Sequence, residues 1–165
     1  MKQLTDEQFE AIVNKFSKTL FTIAYNYTRD TYNSEDIVQE TFFKLYRAHK
    51  DFKNEDHLKY WLIRVTINNS LDVIRKKQNE VLIDDEYVNN LPDNNGLATD
   101  KGLIFNCILE LKESYKTIII LHYYDNYSIK EIASILKITE TNALTRLNRA
   151  RNKLKNIIIE RKNNE

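Results

Sequence analysis

Apolar residues recur every third or fourth position along most of the chain. Phe9, Ile12, Val13, Phe16, Leu20, Ile23, Ala24 and Tyr27 keep a helical period, which predicts an amphipathic helix with one face turned inward. In "SEDIVQETFFKLY" the apolar positions Ile37, Val38, Phe42 and Leu45 repeat the pattern, and Ser34 stands where a side-chain oxygen can cap a second helix. The stretch "HKDFKNEDHLKY" interrupts the period. A third helix is expected through "WLIRVTINNSLDVIRKK", burying some combination of Leu62, Val65, Thr66, Leu71 and Ile74. Periodicity then fails through "QNEVLIDDEYVNNLPDNNGLATD", where Asn and Asp cluster around Pro92 and Gly96. It returns with Leu103, Ile104, Cys107, Ile108 and Leu111 in one helix and residues 118–124 in the next.

The last stretch, "SIKEIASILKITETNALTRLNRARNKL", carries the sharpest local signals. Ser128 followed by Glu131 is a capping box, in which each side chain satisfies an orphan N–H of the first turn. Ile129, Ile132, Ala133 and Leu136 give the new helix an apolar face, and "LKI" is short enough for a tight turn before Thr139 caps the next one. Two capped helices joined so closely make a helix-turn-helix. In its second helix Ala143, Leu147, Ala150, Leu154 and Ile157 form the inward stripe, leaving Asn142, Thr145, Arg146, Asn148 and Arg149 outside or at the edge. Arginine can donate two hydrogen bonds to a guanine and asparagine can pair with an adenine, so this outer set suits a major groove. At the turn, where glycine is common, the chain has Lys137, which must bear any left-handed strain itself.

Composition narrows the fold class to all-α. Two Gly and one Pro in 165 residues are too few for a sheet linked by tight turns. The expected architecture is two small helical domains joined by a flexible acidic linker: residues 1–77, the linker 78–104, and residues 105–165 with the helix-turn-helix. Charge follows the same division. Residues 1–52 hold 7 basic and 8 acidic side chains, 53–77 hold 6 and 3, 78–100 hold none and 6, and 101–165 hold 12 and 7. An overall charge of +1 therefore conceals two basic regions separated by an acidic one, and screening over about 10 Å lets each meet a polyanion separately.

Several function classes are set aside by what the sequence lacks. The single Cys107 excludes an internal disulfide and fits a reducing compartment. The start "MKQLTDEQFE" has no apolar signal region, and the longest aliphatic runs, at 118–121 and 157–159, fall far short of the roughly 20 residues needed to span a bilayer. A cytoplasmic protein without direct membrane insertion is expected. His49, His57 and His122 have no metal-ligand spacing, and no phosphate-binding glycine loop or activated nucleophile is recognisable. Neither catalysis, nor a cofactor, nor a small-molecule substrate is expected.

With both halves in view, the chain resembles a small bacterial sigma factor of the extracytoplasmic-function type, within the sigma-70 family. "EDIVQETFFKLY" followed by "WLIRVTINNSLDVIRKK" is similar to the family's region two, and "YSIKEIASILKITETNALTRLNRARNKL" is similar to its region four. The resemblance implies a subunit that binds core RNA polymerase, recognises promoter DNA and helps open it, without catalysing a reaction. It implies that Asp36, Gln39, Glu40 and Phe43 dock on the polymerase. It implies that the downstream promoter element is held as single strand near Phe52 and His57, by candidates Tyr60, Trp61, Arg64, Asn68, Asp72 and Arg75; stacking and pockets suit unpaired bases. Asn142, Leu144, Thr145, Asn148 and Arg149 would face the bases of the upstream duplex element, with Arg146 and Arg151 nearer phosphate. Leu144 stands where the family often has a basic residue, and apolar contact with a thymine methyl is a replacement. The 27 residues of the linker reach about 90 Å when extended, enough to join sites about two duplex turns apart, roughly 70 Å. The resemblance also implies an anti-sigma factor as a partner. Two rivals stay open on sequence: a helix-turn-helix regulator that does not bind polymerase, and a helical protein whose basic helix binds an acidic partner.

Overall fold

A computed structural model of the chain describes residues 3–83 and 100–164. Among them the elements are α1 (Asp6–Thr28), α2 (Thr31–Arg47), α3 (Glu55–Ile83), α4 (Asp100–Leu109), α5 (Glu113–Ile119), a π-helical turn (Ile120–Tyr124), α6 (Ile129–Leu136) and α7 (Glu140–Asn163), with no strand. The all-α expectation is met. The chain divides into two compact units, and the division along the sequence falls at Lys76–Lys77. α3 continues through residues 78–83 and α4 begins at Asp100, so helix occupies both ends of the segment 78–104, while 84–99 lie outside the described residues.

In the N-terminal unit, each helix end has a local cause. Thr5 caps α1 through a capping box: its hydroxyl accepts from the Gln8 N–H at 3.2 Å and its own N–H donates to Gln8 Oε1 at 3.1 Å. α1 closes on Arg29, which turns left-handed at φ 53° and donates its N–H to the Tyr25 carbonyl at 2.9 Å. That turn places Asp30, not Ser34, at the start of α2, where its carboxylate accepts from Asn33 N–H and Nδ2 at 3.3 and 2.9 Å. Ser34 instead lies inside the first turn, fully buried, its hydroxyl donating to the Asp30 carbonyl at 2.7 Å. A charged cap directly after the reversal displaces the serine as first oxygen of the helix. α3 begins behind Asn54, whose side chain accepts from the His57 N–H at 2.8 Å.

The three helices bury Phe16, Leu20, Ile23, Ala24 and Tyr27 of α1, Ile37, Val38, Phe42 and Leu45 of α2, and Leu62, Thr66, Leu71 and Ile74 of α3. Val65 is only half-buried, and Ile63 and Ile67 take inward positions instead. A polar ladder crosses the α2–α3 seam. Thr41 Oγ1 lies 3.2 Å from Thr66 Oγ1 and accepts from Asn69 Nδ2 at 3.2 Å, while Lys44 Nζ donates to Asn69 Oδ1 at 2.6 Å. Both threonine hydroxyls also donate to carbonyls of their own helices, Ile37 and Leu62. The ladder's buried hydroxyls and amide are thus satisfied, which is the condition under which polar groups can lie in a core.

In the C-terminal unit α5 packs on α7, and α4 on both. Ile118, Ile119, Ile120 and Leu121 are all buried, as befits a helix covered on every side. The second half of this run lies in the π-helical turn Ile120–Tyr124, so the helix expected over 118–124 departs from α geometry. An Arg161–Glu110 ion pair ties the far end of α7 to the end of α4.

Candidate functional site

Two surfaces of the N-terminal unit gather the sequence candidates. The first is a groove of about 580 Å³ between α2 and α3. Its α2 wall contains Asp36, Gln39, Glu40 and Phe43, all exposed, because Ile37, Val38 and Thr41 turn the opposite face inward. Phe43 is 46% exposed, enough to offer its ring to a partner, and the Arg47 guanidinium lies 4.2 Å from that ring. The α3 wall adds Asn69, Asp72, Val73 and Lys76, which sequence reasoning had not joined to α2. Lys44 also lines the groove, but on the α2 wall the carboxylates of Asp36 and Glu40 beside an exposed ring make an amphipathic, acid-rimmed surface suited to a basic protein partner.

The second surface runs along α3. Trp61, Arg64, Asn68, Asp72 and Arg75 recur at spacings of three and four and so share a side of the helix. Asn68 is exposed; Tyr60 and Trp61 are half-buried. The Trp61 ring meets Phe52 edge-to-face at 5.6 Å, and Phe52 meets His57 in the same manner at 5.4 Å. His57 Nδ1 accepts from the Lys53 N–H at 3.0 Å, which orients the ring from the loop before α3. Asp72 pairs with Arg75 at 2.8 Å and also reaches the α2–α3 groove, so one carboxylate borders both surfaces.

The C-terminal unit forms the helix-turn-helix with the local chemistry read from sequence. Glu131 N–H donates to Ser128 Oγ at 3.1 Å and Ser128 N–H to Glu131 Oε2 at 3.0 Å. Lys137 is left-handed, φ 56° and ψ 47°, and Ile138 N–H donates to the Ala133 carbonyl at 3.0 Å, sealing the end of α6. Thr139 Oγ1 then accepts from Asn142 N–H at 3.0 Å to start α7. Ala143, Leu147 and Ala150 are buried, and Leu154 and Ile157 half-buried.

That packing leaves Asn142, Leu144, Thr145, Asn148, Arg149 and Arg151 exposed and Arg146 at the edge. Leu144, 49% exposed, has no core role to explain it. Arg151 donates through Nε to the Tyr123 hydroxyl, its guanidinium lies 5.4 Å from that ring, and Nη1 reaches Asn148 Oδ1 at 3.5 Å. Tyr123 was not a sequence candidate, since nothing local links it to a residue 28 positions on. A cavity of about 210 Å³ opens beside Asn142, Thr145, Arg146 and Arg149, with its other wall from Lys112, Ser114 and Tyr115. Those three were also missed. Among the described residues no helix is long and apolar enough to cross a membrane, and no group of three His, Cys, Asp or Glu is placed to hold a metal ion.

Comparison with known proteins agrees with this layout. The Sigma-70 region 2 family model matches residues 12–80, and the Sigma-70 region 4 model matches residues 101–154. ECF RNA polymerase sigma factor SigM of Bacillus subtilis is 30% identical over 155 residues, covering 91% of this chain and 92% of its own. ECF RNA polymerase sigma factor SigW of the same organism is 28% identical, covering 94% and 91%. Among solved structures, the sigma factor RpoE in complex with the anti-sigma factor NepR, from Bartonella quintana, has a TM-score of 0.60 at 23% identity, covering 91% of this chain and 96% of that one. CnrH in complex with the cytosolic domain of CnrY has a TM-score of 0.62 at 20% identity, covering 94% and 90%. With regions 2 and 4 in order on one chain, and alignment to SigM across nearly the whole of both proteins, the chain belongs to the ECF sigma factors of the sigma-70 family.

Proposed function

We propose that the protein is an alternative sigma factor that binds core RNA polymerase and directs promoter-specific transcription initiation, including promoter opening. The observation that carries this is the presence of both family regions in their proper order, on a chain matched end to end by relatives named as ECF sigma factors. The chain itself performs no catalysis; it positions the polymerase, and it acts in the cytoplasm.

Roles within the molecule are inferred from the two family regions, with surface chemistry in support. Residues 1–77 form the polymerase and downstream-element domain, residues 105–165 the upstream-element domain, and 78–104 the acidic connection. Asp36, Gln39, Glu40 and Phe43 take the polymerase: their acids rim an apolar centre, the pattern that steers and then holds a basic helical partner. Tyr60, Trp61, Arg64, Asn68, Asp72 and Arg75 receive the downstream element as unpaired strand, by ring stacking and amide hydrogen bonds. Asn142, Leu144, Thr145, Asn148 and Arg149 address base edges in duplex, while Arg146 and Arg151 contact phosphate. A protein that covers these surfaces would act as an anti-sigma factor; the sigma factor RpoE, similar in fold, is solved in complex with the anti-sigma factor NepR.

The test is run-off transcription with purified core polymerase on a library of genomic fragments. Discrete start sites that depend on the added chain are expected. Absence of any start site, while the same polymerase initiates with another sigma factor, would sink the proposal. A helix-turn-helix regulator without polymerase binding would instead give a homodimer on a two-fold symmetric site.

A further inference from the structure

The smaller cavity of the C-terminal unit draws on two elements far apart in sequence. Lys112 precedes α5 and Ser114 and Tyr115 lie in its first turn, whereas Thr145, Arg146 and Arg149 belong to α7. The lining thus contains three cations, three hydroxyls and no carboxylate. Lys112 Nζ sits 4.3 Å from the centre of the Tyr115 ring, a cation–π contact that keeps the ammonium beside the cavity. Among the described residues neither Arg146 nor Arg149 has an ion-pair partner. Positive groups gathered without a counter-charge repel one another, and an anion seated among them reverses that sign. Ammonium, guanidinium and hydroxyl groups together match a phosphate, which accepts hydrogen bonds on several oxygens at once.

We propose that this cavity seats one backbone phosphate of the duplex on which α7 lies, with Lys112 as an anchoring residue supplied from outside the helix-turn-helix. The inference rests on α7 being the duplex-facing helix. The occupant is a phosphodiester of that duplex because the cavity's α7 wall includes Thr145 and Arg149, two of the side chains assigned to base edges; a phosphate beside them is the nearest anion available. α5 packs directly on α7, so a phosphate gripped from both helices fixes how α7 is rolled in its groove. Phosphate contacts carry no sequence information of their own but set the register in which base contacts are made.

The experiment uses holoenzyme assembled from core polymerase and the full chain, bound to a short duplex carrying the upstream element recovered from the transcription library. Lys112→Gln should weaken binding by a similar factor on the recovered element and on base-substituted copies. It should also reduce the steepness of the log–log salt dependence by about 0.9, the value for one phosphate contact. Lys155→Gln, which removes an exposed charge of α7 outside the cavity, serves as the control. Replacing backbone phosphates one at a time by neutral methylphosphonate should reveal one position that weakens the wild type by a larger factor than it weakens Lys112→Gln. A variant whose salt slope matches the wild type, or a phosphate scan identical in both proteins, overturns the proposal while leaving duplex reading by α7 intact. Should the wild type bind the element and its base-substituted copies equally, the role of α7 itself falls, and this inference with it. Should free inorganic phosphate, at matched ionic strength, abolish only the Lys112-dependent part of binding, the cavity is confirmed as the phosphate seat.

Discussion

Lys137 offers a direct test of how the helix-turn-helix is built. Its backbone is left-handed at φ 56°, ψ 47°, where the β-carbon of an L-residue crowds the following carbonyl at a cost of about 1–2 kcal/mol. Glycine has no such carbon. Lys137→Gly should therefore recover that strain, less about 0.4–1 kcal/mol for the greater freedom of glycine in the unfolded chain. A net stabilisation of about 0.5–1 kcal/mol follows. For a unit of this size, where 1 kcal/mol moves Tm by about 4–8 °C, that is a rise of roughly 2–8 °C in the transition of the C-terminal unit. Lys137→Ala provides the contrast, since alanine keeps the β-carbon and should gain nothing. Differential scanning calorimetry of the full chain, with each variant scanned beside the wild type, reads the result. If glycine proves no more stable than alanine at this position, the turn carries no left-handed strain and the reasoning fails.

Other substitutions probe the remaining surfaces. Arg149→Ala should lower holoenzyme affinity for the upstream element by about 1–3 kcal/mol and relax preference at one or two bases; equal activity over a randomised promoter library would refute the base contact. Phe43→Ala removes the exposed ring from the acid-rimmed groove and should weaken association with core polymerase by about 1–2 kcal/mol without changing the melting curve of the free chain. Unchanged affinity in a titration with labelled core enzyme would show that the ring is not at the interface. Thr41→Val should destabilise the N-terminal unit by about 1–3 kcal/mol, because it leaves Asn69 Nδ2 without its acceptor in the core, while the Thr66 hydroxyl keeps its bond to the Leu62 carbonyl. Denaturant unfolding with no loss of stability would deny the ladder its structural role.

Features encoded within a few residues were legible without coordinates. The Ser128–Glu131 box, the Thr139 cap and the reversal at Lys137 all depend on neighbours in sequence, and each stands where the local chemistry placed it. Ser34 shows the limit of the same logic. It has a capping side chain, but Asp30 comes first once Arg29 has turned the chain, and a motif read alone does not register that competition. The buried run at residues 118–121 hid its π turn because a helix apolar on every side has no phase to read. Side chains meeting across elements were beyond reach. Nothing in the sequence brings Asn69 to Lys44, Tyr123 to Arg151, or Lys112 into a cavity with Arg146.

Asn68 and Asn69 are adjacent, and successive residues on a helix point about 100° apart. The second amide is locked inward by Thr41 and Lys44; the first must therefore look out. A seam made only of aliphatic side chains would let α3 rotate a little about its axis with small loss, whereas a hydrogen-bonded amide has one setting. Core chemistry on one side of this helix thereby indexes the aim of whatever the adjacent face presents, as a keyway fixes the angle of a shaft.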